Sequence, residues 1–143
     1  MQVKEFSSPM RVYIEDTDAG GVVYYVNYLK FMERARTELF RSIGVDKPAL
    51  LTDELCLVIS SASVDYKCSA RLDDLLNVSA VPVKLGRSFV VFEQQVTRDN
   101  ESGSLVELLA KGAVKVVCVK RSTFKPSPFP VDVWRALKDL TEF

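Results

Sequence analysis

The sequence contains no histidine. That absence excludes Ser-His-Asp and Cys-His catalysis, both of which need an imidazole as base. Cysteine is scarce as well: Cys56, Cys68 and Cys118 are separated by 12 and 50 residues. With no histidine, most zinc sites are removed; the cysteine spacings match no zinc knuckle, and three thiols so far apart do not suggest a disulfide framework. Neither sign of charge prevails, since Lys+Arg and Asp+Glu are both 19. Zero formal net charge argues against a bulk nucleic-acid or anionic-membrane binder. No apolar run reaches the roughly 18 residues that a membrane span needs. The N-terminal stretch MQVKEFSSPMRVYIED lacks the apolar core of a signal peptide. We read a soluble, cytoplasmic protein whose remaining candidates for hydrolytic chemistry are carboxylates.

The chain has 143 residues, 48% of them hydrophobic, which suits one domain over 1–143 with a real core. There is no internal repeat, low-complexity segment or long linker. Met10–Glu15 alternates weakly and reads as a first strand. Asp16 to Gly21 is a cluster of turn residues. Next, Tyr28, Phe31 or Met32, Ala35, Leu39 and Ile43 recur every three or four residues, with Lys30, Glu33, Arg34, Glu38 and Arg41 mostly between them. This is an amphipathic helix from about Val26 to Ile43, roughly 27 Å long, stopped by Gly44 with Pro48 just beyond.

After the helix the pattern turns to strands. Leu55–Tyr66, Leu75–Lys84, Ser88–Thr97 and Leu105–Val119 are rich in Val, Ile, Phe and Leu. Leu85-Gly86-Arg87 and Asp99-Asn100-Glu101-Ser102-Gly103 read as hairpin turns. Ala113–Val119 is almost unbroken apolar and predicts a strand buried on both faces. Three prolines follow Phe124, and Val131–Leu140 is a short amphipathic candidate carrying Trp134. The order strand, long helix, four strands predicts an α+β fold, a curved antiparallel sheet wrapped around one central helix. Such a sheet leaves edges and a face that self-association would cover.

The segment EDTDAGGVVYYVNY, Glu15 to Tyr28, is the most unusual in the chain. Three acids within four residues precede two glycines and a helix start. Glycine admits positive φ and close approach of a ligand. A first helical turn offers unpaired N–H groups that can polarise a carbonyl oxygen. A carboxylate just upstream could reach the carbon of that same carbonyl. The plainer reading of these residues is that Asp16 or Asp18 only caps a turn or the helix. The cysteines, with no base beside them in sequence, read as small hydrophobes.

The run Asp16-Thr17-Asp18-Ala19-Gly20-Gly21-Val22-Val23-Tyr24-Tyr25-Val26-Asn27-Tyr28, with Phe31-Met32-Glu33-Arg34-Ala35-Arg36 after it, resembles the 4-hydroxybenzoyl-CoA thioesterase family of hotdog-fold proteins. Within that family it looks closest to the acyl-CoA thioesterases associated with the Tol–Pal system. The resemblance continues through Ala70-Arg71-Leu72-Asp73-Asp74, Gly86-Arg87-Ser88-Phe89 and Lys125-Pro126, so it spans about Pro9 to Val131. It implies hydrolysis of an acyl-CoA to free acid and CoA, without metal or organic cofactor. Asp18 takes the family's catalytic aspartate position, as nucleophile or as base for water, and Asp16 matches a companion acid. The Tyr25 backbone N–H would serve the oxyanion, while Gly21 and Val22 belong to the loop that brings in the thioester; Tyr24, with Tyr25 and Tyr28, could line an acyl pocket or simply pack at the helix start. Arg87, Ser88 and Lys125 match positions near the CoA moiety, with Lys120 and Arg121 as further basic residues nearby. The resemblance also implies a homo-oligomer, a dimer or a tetramer of paired dimers, with sites at the subunit interface. Many relatives of the Tol–Pal type carry histidine where this chain has Tyr25, so any step needing that imidazole is closed here. Two other readings remain beside the hydrolase: a module that binds acyl-CoA or acyl carrier protein for cell-envelope partners, and a hotdog hydratase.

Overall fold

The computed structural model describes residues 5–47, 51–99 and 106–141. Its elements in chain order are β1 (Phe6–Arg11), a 3₁₀ turn (Ile14–Asp16), α1 (Asn27–Ser42), β2 (Leu55–Tyr66), β3 (Leu75–Leu85), β4 (Phe89–Asp99), β5 (Val106–Lys120) and α2 (Val131–Thr141). The five strands form one antiparallel sheet in the order β1-β3-β4-β5-β2. Register shifts at Ile59/Ser61, Pro82/Lys84 and Val96/Thr97 bend the strands.

The helix forms because its apolar side chains share one stripe. Tyr28, Phe31, Met32, Ala35, Leu39 and Phe40 are all buried, and they meet Leu76, Val78, Val90, Phe92, Val96, Val114 and Val116 from the inner sheet face. Alternation along β4 is regular: Val90, Phe92, Gln94 and Val96 point inward, while Glu93 and Gln95 face solvent. α1 stops as its sequence predicts. Ile43 is the C-cap and Gly44 has φ +96°, a left-handed angle that a Cβ would resist. Pro48 lies outside the described residues.

The first strand differs from its expected span. It runs Phe6–Arg11 rather than Met10–Glu15. The ladder ends where Val12 turns its backbone groups to the Asp73–Asp74 turn: its N–H donates to the Asp74 carbonyl and its carbonyl accepts from the Asp73 N–H, both at 2.9 Å. Beyond it the chain curls into the 3₁₀ turn. The Gly86 hairpin joins β3 and β4 with a Gly86 N–H to Phe89 carbonyl bond of 2.8 Å. A Cβ on Gly86 would fall 2.2 Å from the Phe89 ring. Of the expected turn Asp99-Asn100-Glu101-Ser102-Gly103, Asp99 is the last residue of β4 and the rest lies outside the described residues. β2 and β3 do not form a hairpin: β2 pairs only with β5, so the chain crosses between opposite halves of the sheet. As Ala113–Val119 predicts, β5 is an interior strand, with Val116, Val117, Cys118 and Val119 all buried.

At the far side of the sheet, β2 is a long edge strand whose middle, Ile59 to Ser63, is exposed. Trp134 on α2 is half-buried, and its indole N–H donates to the Gly86 carbonyl at 3.1 Å, which seats α2 against the β3–β4 turn.

Candidate active site

The loop between the 3₁₀ turn and α1 is a tight antiparallel hairpin. Thr17 bridges Val23, the Asp18 N–H donates to the Val22 carbonyl at 2.9 Å, and the Gly21 N–H returns to the Asp18 carbonyl at 3.1 Å. Gly21 has φ +79°, which is why the turn takes glycine there. Val22 bridges Arg71, and the Val23 N–H donates to the Ala70 carbonyl, so the hairpin is fastened to the segment leading into β3.

The two aspartates fare differently. Asp16 is 4% exposed. Its carboxylate accepts from the Tyr13 backbone N–H and from the Asn27 side-chain amide, each at 2.9 Å, and its carbonyl accepts from the Tyr24 N–H. It therefore ties the loop to the first residue of α1. Asp18 is exposed, and one carboxylate oxygen accepts from the Gly20 N–H at 2.8 Å. The turn-capping expectation for an aspartate is met here. The second oxygen of Asp18 has no partner among the described residues.

Asp16→Ala would leave two donors, the Tyr13 N–H and the Asn27 amide, without their acceptor. We expect it to destabilise the fold by about 2–4 kcal/mol, read by denaturant unfolding. A change within about 0.5 kcal/mol would show that the Asp16 bonds do not hold the loop.

The start of α1 presents further groups. The Asn27 N–H donates to the Tyr24 carbonyl, whereas the N–H of Tyr25 has no acceptor among the described residues. The Tyr66 hydroxyl, from the end of β2, donates to the Tyr25 carbonyl at 3.1 Å. The rings of Tyr24 and Tyr25, Tyr25 and Tyr66, and Tyr28 and Tyr66 lie 5.0, 6.0 and 5.4 Å apart. Tyr28 is buried, and its hydroxyl oxygen accepts from the Ala70 N–H at 2.9 Å. Burial pushes its phenol above the ordinary value, and the Ala70 bond pulls the other way. Tyr24 and Tyr25 remain exposed.

Asp73-Asp74 does more than form a turn. Asp73 has φ 69° and Asp74 accepts from the Arg71 N–H at 2.8 Å, but Asp74 also pairs with Arg98 at 2.6 Å. Arg98 pairs again with Glu107 at 2.7 Å, and it holds the Glu107 carboxyl below the usual range. These residues brace the strand ends beside the loop.

The nine residues singled out in the sequence fall into two groups. Asp16, Asp18, Gly21, Val22, Tyr24 and Tyr25 sit where β2 ends and β5 begins, the end at which Tyr66 faces Ala110. Arg87, Ser88 and Lys125 sit at the other end, where Phe89 faces Val117 and Lys120 bonds Lys125. Along β5, Ala110 and Val117 are separated by roughly 23 Å at about 3.3 Å per residue. One chain does not bring the two groups together. Arg87 lines a cleft of about 290 Å³ with Pro128, Phe129, Val131 and Trp134. Lys125 is exposed, and Ser88 is half-buried with its carbonyl bonded to the Cys118 N–H.

Sequence reasoning did not single out Asn27, Tyr66 or Arg98. An amide at a helix start was a legible signal for Asn27. Tyr66 comes from a strand about 40 residues away, and nothing local announces it. Of the cysteines, Cys118 is buried and Cys56 half-buried, as small hydrophobes are, but Cys68 is exposed. Burial pushes the Cys118 thiol up to about 11, which leaves it unreactive. Among the described residues no group of three His, Cys, Asp or Glu side chains could hold a metal ion, and no helix is long and apolar enough to cross a membrane.

One antiparallel sheet on a central helix, entered through a glycine turn, is the architecture of the hotdog fold. Residues 20–104 match the thioesterase superfamily, and the chain belongs to that family. It is 42% identical over 136 residues to an acyl-CoA thioesterase, YbgC, of Haemophilus influenzae, covering 94% of this chain and 96% of that protein. It is 37% identical over 133 residues to an acyl-CoA thioester hydrolase, also YbgC, of Escherichia coli O157:H7, covering 93% and 96%. In fold it resembles a 4-hydroxybenzoyl-CoA thioesterase crystallised with 4-hydroxybenzoyl-CoA. The TM-score is 0.85 at 19% identity, covering 94% of this chain and 99% of that one. The family and fold expected from the loop motif are thus borne out.

Proposed function

We propose that this chain is an acyl-CoA thioester hydrolase, a single hotdog domain over 1–143 that uses no metal or organic cofactor. The observation that carries the reading is one loop. It carries the exposed Asp18 carboxylate, one oxygen of which has no partner among the described residues, and it leads within a few residues into a helix start where the Tyr25 N–H has no acceptor among the described residues. The named relatives support the substrate class.

In this reading the thioester carbonyl oxygen takes the Tyr25 N–H, and the helix N-terminus stabilises the negative charge that develops there. On one branch the free oxygen of Asp18 attacks the thioester carbon, the C–S bond breaks with CoA leaving as thiolate, and a water then hydrolyses the acyl–Asp18 anhydride. On the other, Asp18 removes a proton from a water that attacks the carbon directly, and the C–S bond breaks as CoA leaves. Either way one water is consumed: its oxygen ends in the free acid and a proton from it goes to the CoA sulfur. Gly21 and Val22 hold the turn that aims Asp18. Tyr24 and Tyr25 line the way in for the acyl group, and Asp16 holds the loop in place.

Arg87, Ser88 and Lys125 enter this scheme only across a subunit boundary. β2 is an exposed edge, and antiparallel pairing of two β2 strands about a two-fold axis would set the Leu55 end of one beside the Tyr66 end of the other. The partner subunit's Lys125 would then face Asp18, with Arg87 of the partner subunit and Ser88 of the partner subunit further out. A dimer or a tetramer of paired dimers, acting in the cytoplasm, fits this arrangement.

The test is thiol release from acyl-CoAs with short, long and aromatic acyl groups, together with binding of a non-hydrolysable thioether analogue. Multiple turnover on any of them upholds the hydrolase. Analogue binding without turnover on the whole panel overturns it in favour of a binding module.

A further inference from the structure

Phe124 combines two features unusual for a large apolar residue: its φ is 56°, in the left-handed region, and the residue is 67% exposed. The conformation has a local cause. Phe124 closes the loop from Lys120 to Lys125: its N–H donates to the Lys120 carbonyl at 2.7 Å, and the Lys120 N–H donates to the Lys125 carbonyl at 3.0 Å. A loop of this shape calls for glycine or asparagine at the left-handed position, because a Cβ crowds the backbone there. The other such residue among the described ones, Asp73, is of the polar type that tolerates the angle. Phe124 is not of that type, and packing does not repay it. Among the described residues its ring joins no aromatic pair and no cation–π contact. Strain kept at an exposed apolar residue points to use of that residue.

The surroundings say what use. Lys120 and Lys125 are bonded to each other through their backbones at the base of the loop, and both are exposed. Arg121 is turned away, its guanidinium held by the Asp53 carbonyl at 3.1 Å on the side of the exposed acids Asp53 and Glu54. An exposed aromatic ring with two lysines beside it matches a purine that carries phosphate. The ring offers a stacking face and the ammonium groups meet the anions.

We propose that Phe124 is a stacking platform for the adenine of coenzyme A, with Lys120 and Lys125 meeting its phosphates. This deepens, and rests on, the hydrolase reading. There the same loop of a second subunit lies toward the Asp18 mouth.

The experiment compares wild type with Phe124→Ala, Phe124→Trp and Phe124→Asn. One readout is binding of adenosine 3′,5′-bisphosphate. Another is the KM for one acyl group carried on coenzyme A, relative to the KM for the same group on pantetheine. A third is Tm. Phe124→Ala is expected to weaken bisphosphate binding roughly 5- to 100-fold and to raise the KM ratio by a similar factor. Phe124→Trp should retain both. Phe124→Asn should bind as poorly as the alanine variant yet melt about 2–4 °C above wild type, since it relieves the left-handed strain. A residue with only a structural role would not separate those two readouts. The proposal is overturned if Phe124→Ala leaves bisphosphate binding unchanged, or if it alters oligomeric state or adsorption to anionic vesicles instead. Should wild type hydrolyse neither thioester, the hydrolase reading falls. The bisphosphate titration then decides on Phe124 alone, with loss of binding in the alanine variant upholding it.

Discussion

Asp18→Asn is expected to lower kcat for thioester hydrolysis by about 100- to 10,000-fold, with little change in stability or in binding of a thioether analogue. The substitution changes chemistry without disturbing the loop. Its amide oxygen can still accept from the Gly20 N–H, the one side-chain bond that Asp18 makes among the described residues. The Asp18 N–H to Val22 and Gly21 N–H to Asp18 bonds are backbone bonds and stay. What is lost is the second carboxylate oxygen, replaced by an NH₂ that neither attacks carbon nor takes a proton from water. Thiol release with wild type and variant side by side measures the effect. Turnover by the asparagine variant within a few-fold of wild type would remove Asp18 from the reaction and leave the Tyr25 N–H without its partner in the scheme.

The second large effect concerns stability. Gln94 is fully buried on β4, and its amide donates to the Met32 carbonyl at 2.9 Å and to the Ser79 carbonyl at 3.2 Å. Its oxygen accepts from the guanidinium of Arg36, which is 7% exposed, at 2.9 Å. One side chain thus joins α1 to β3 and supplies the only acceptor that Arg36 has among the described residues. Burial already pulls the Arg36 guanidinium below its ordinary range, and the nearby Glu33 charge offsets part of this. Gln94→Leu fills the same space but removes that acceptor. We expect a loss of about 2–4 kcal/mol, seen as a fall in Tm on the order of 10 °C. Adding Arg36→Met should recover the part due to the buried unpaired guanidinium, while the loss of the amide donors to the Met32 and Ser79 carbonyls stays. A Gln94→Leu variant as stable as wild type would show that Arg36 reaches water or another acceptor, the adjoining cleft lined by Glu33, Thr37 and Phe40 being the nearest route.

The elements themselves were legible because their causes are local. The helix of Tyr28, Phe31, Ala35 and Leu39 shows in a 3.6-residue stripe, and its stop at Gly44 in a residue that suits φ +96°. The spans of β2, β3, β4 and β5 were readable to within two residues. β1 was misplaced because the ladder partner that ends it, the Asp73–Asp74 turn, is some 60 residues away. In the loop, composition marked the acids and glycines, but it could not say which aspartate is buried. Burial of Asp16 depends on the Asn27 amide reaching back to it.

The sequence by itself thus determined the element types, the α+β class, the loop motif and, through the absence of histidine, the kind of catalytic group available. Each of these depends on residue type or on spacing within a few positions. Tertiary structure alone decided the strand order, the pairing of Gln94 with Arg36, and the placing of Arg87, Ser88 and Lys125 at the end of the sheet away from Asp18. Those depend on which strands pair. That choice is made by burial summed over the whole sheet and leaves no periodic trace in any one segment.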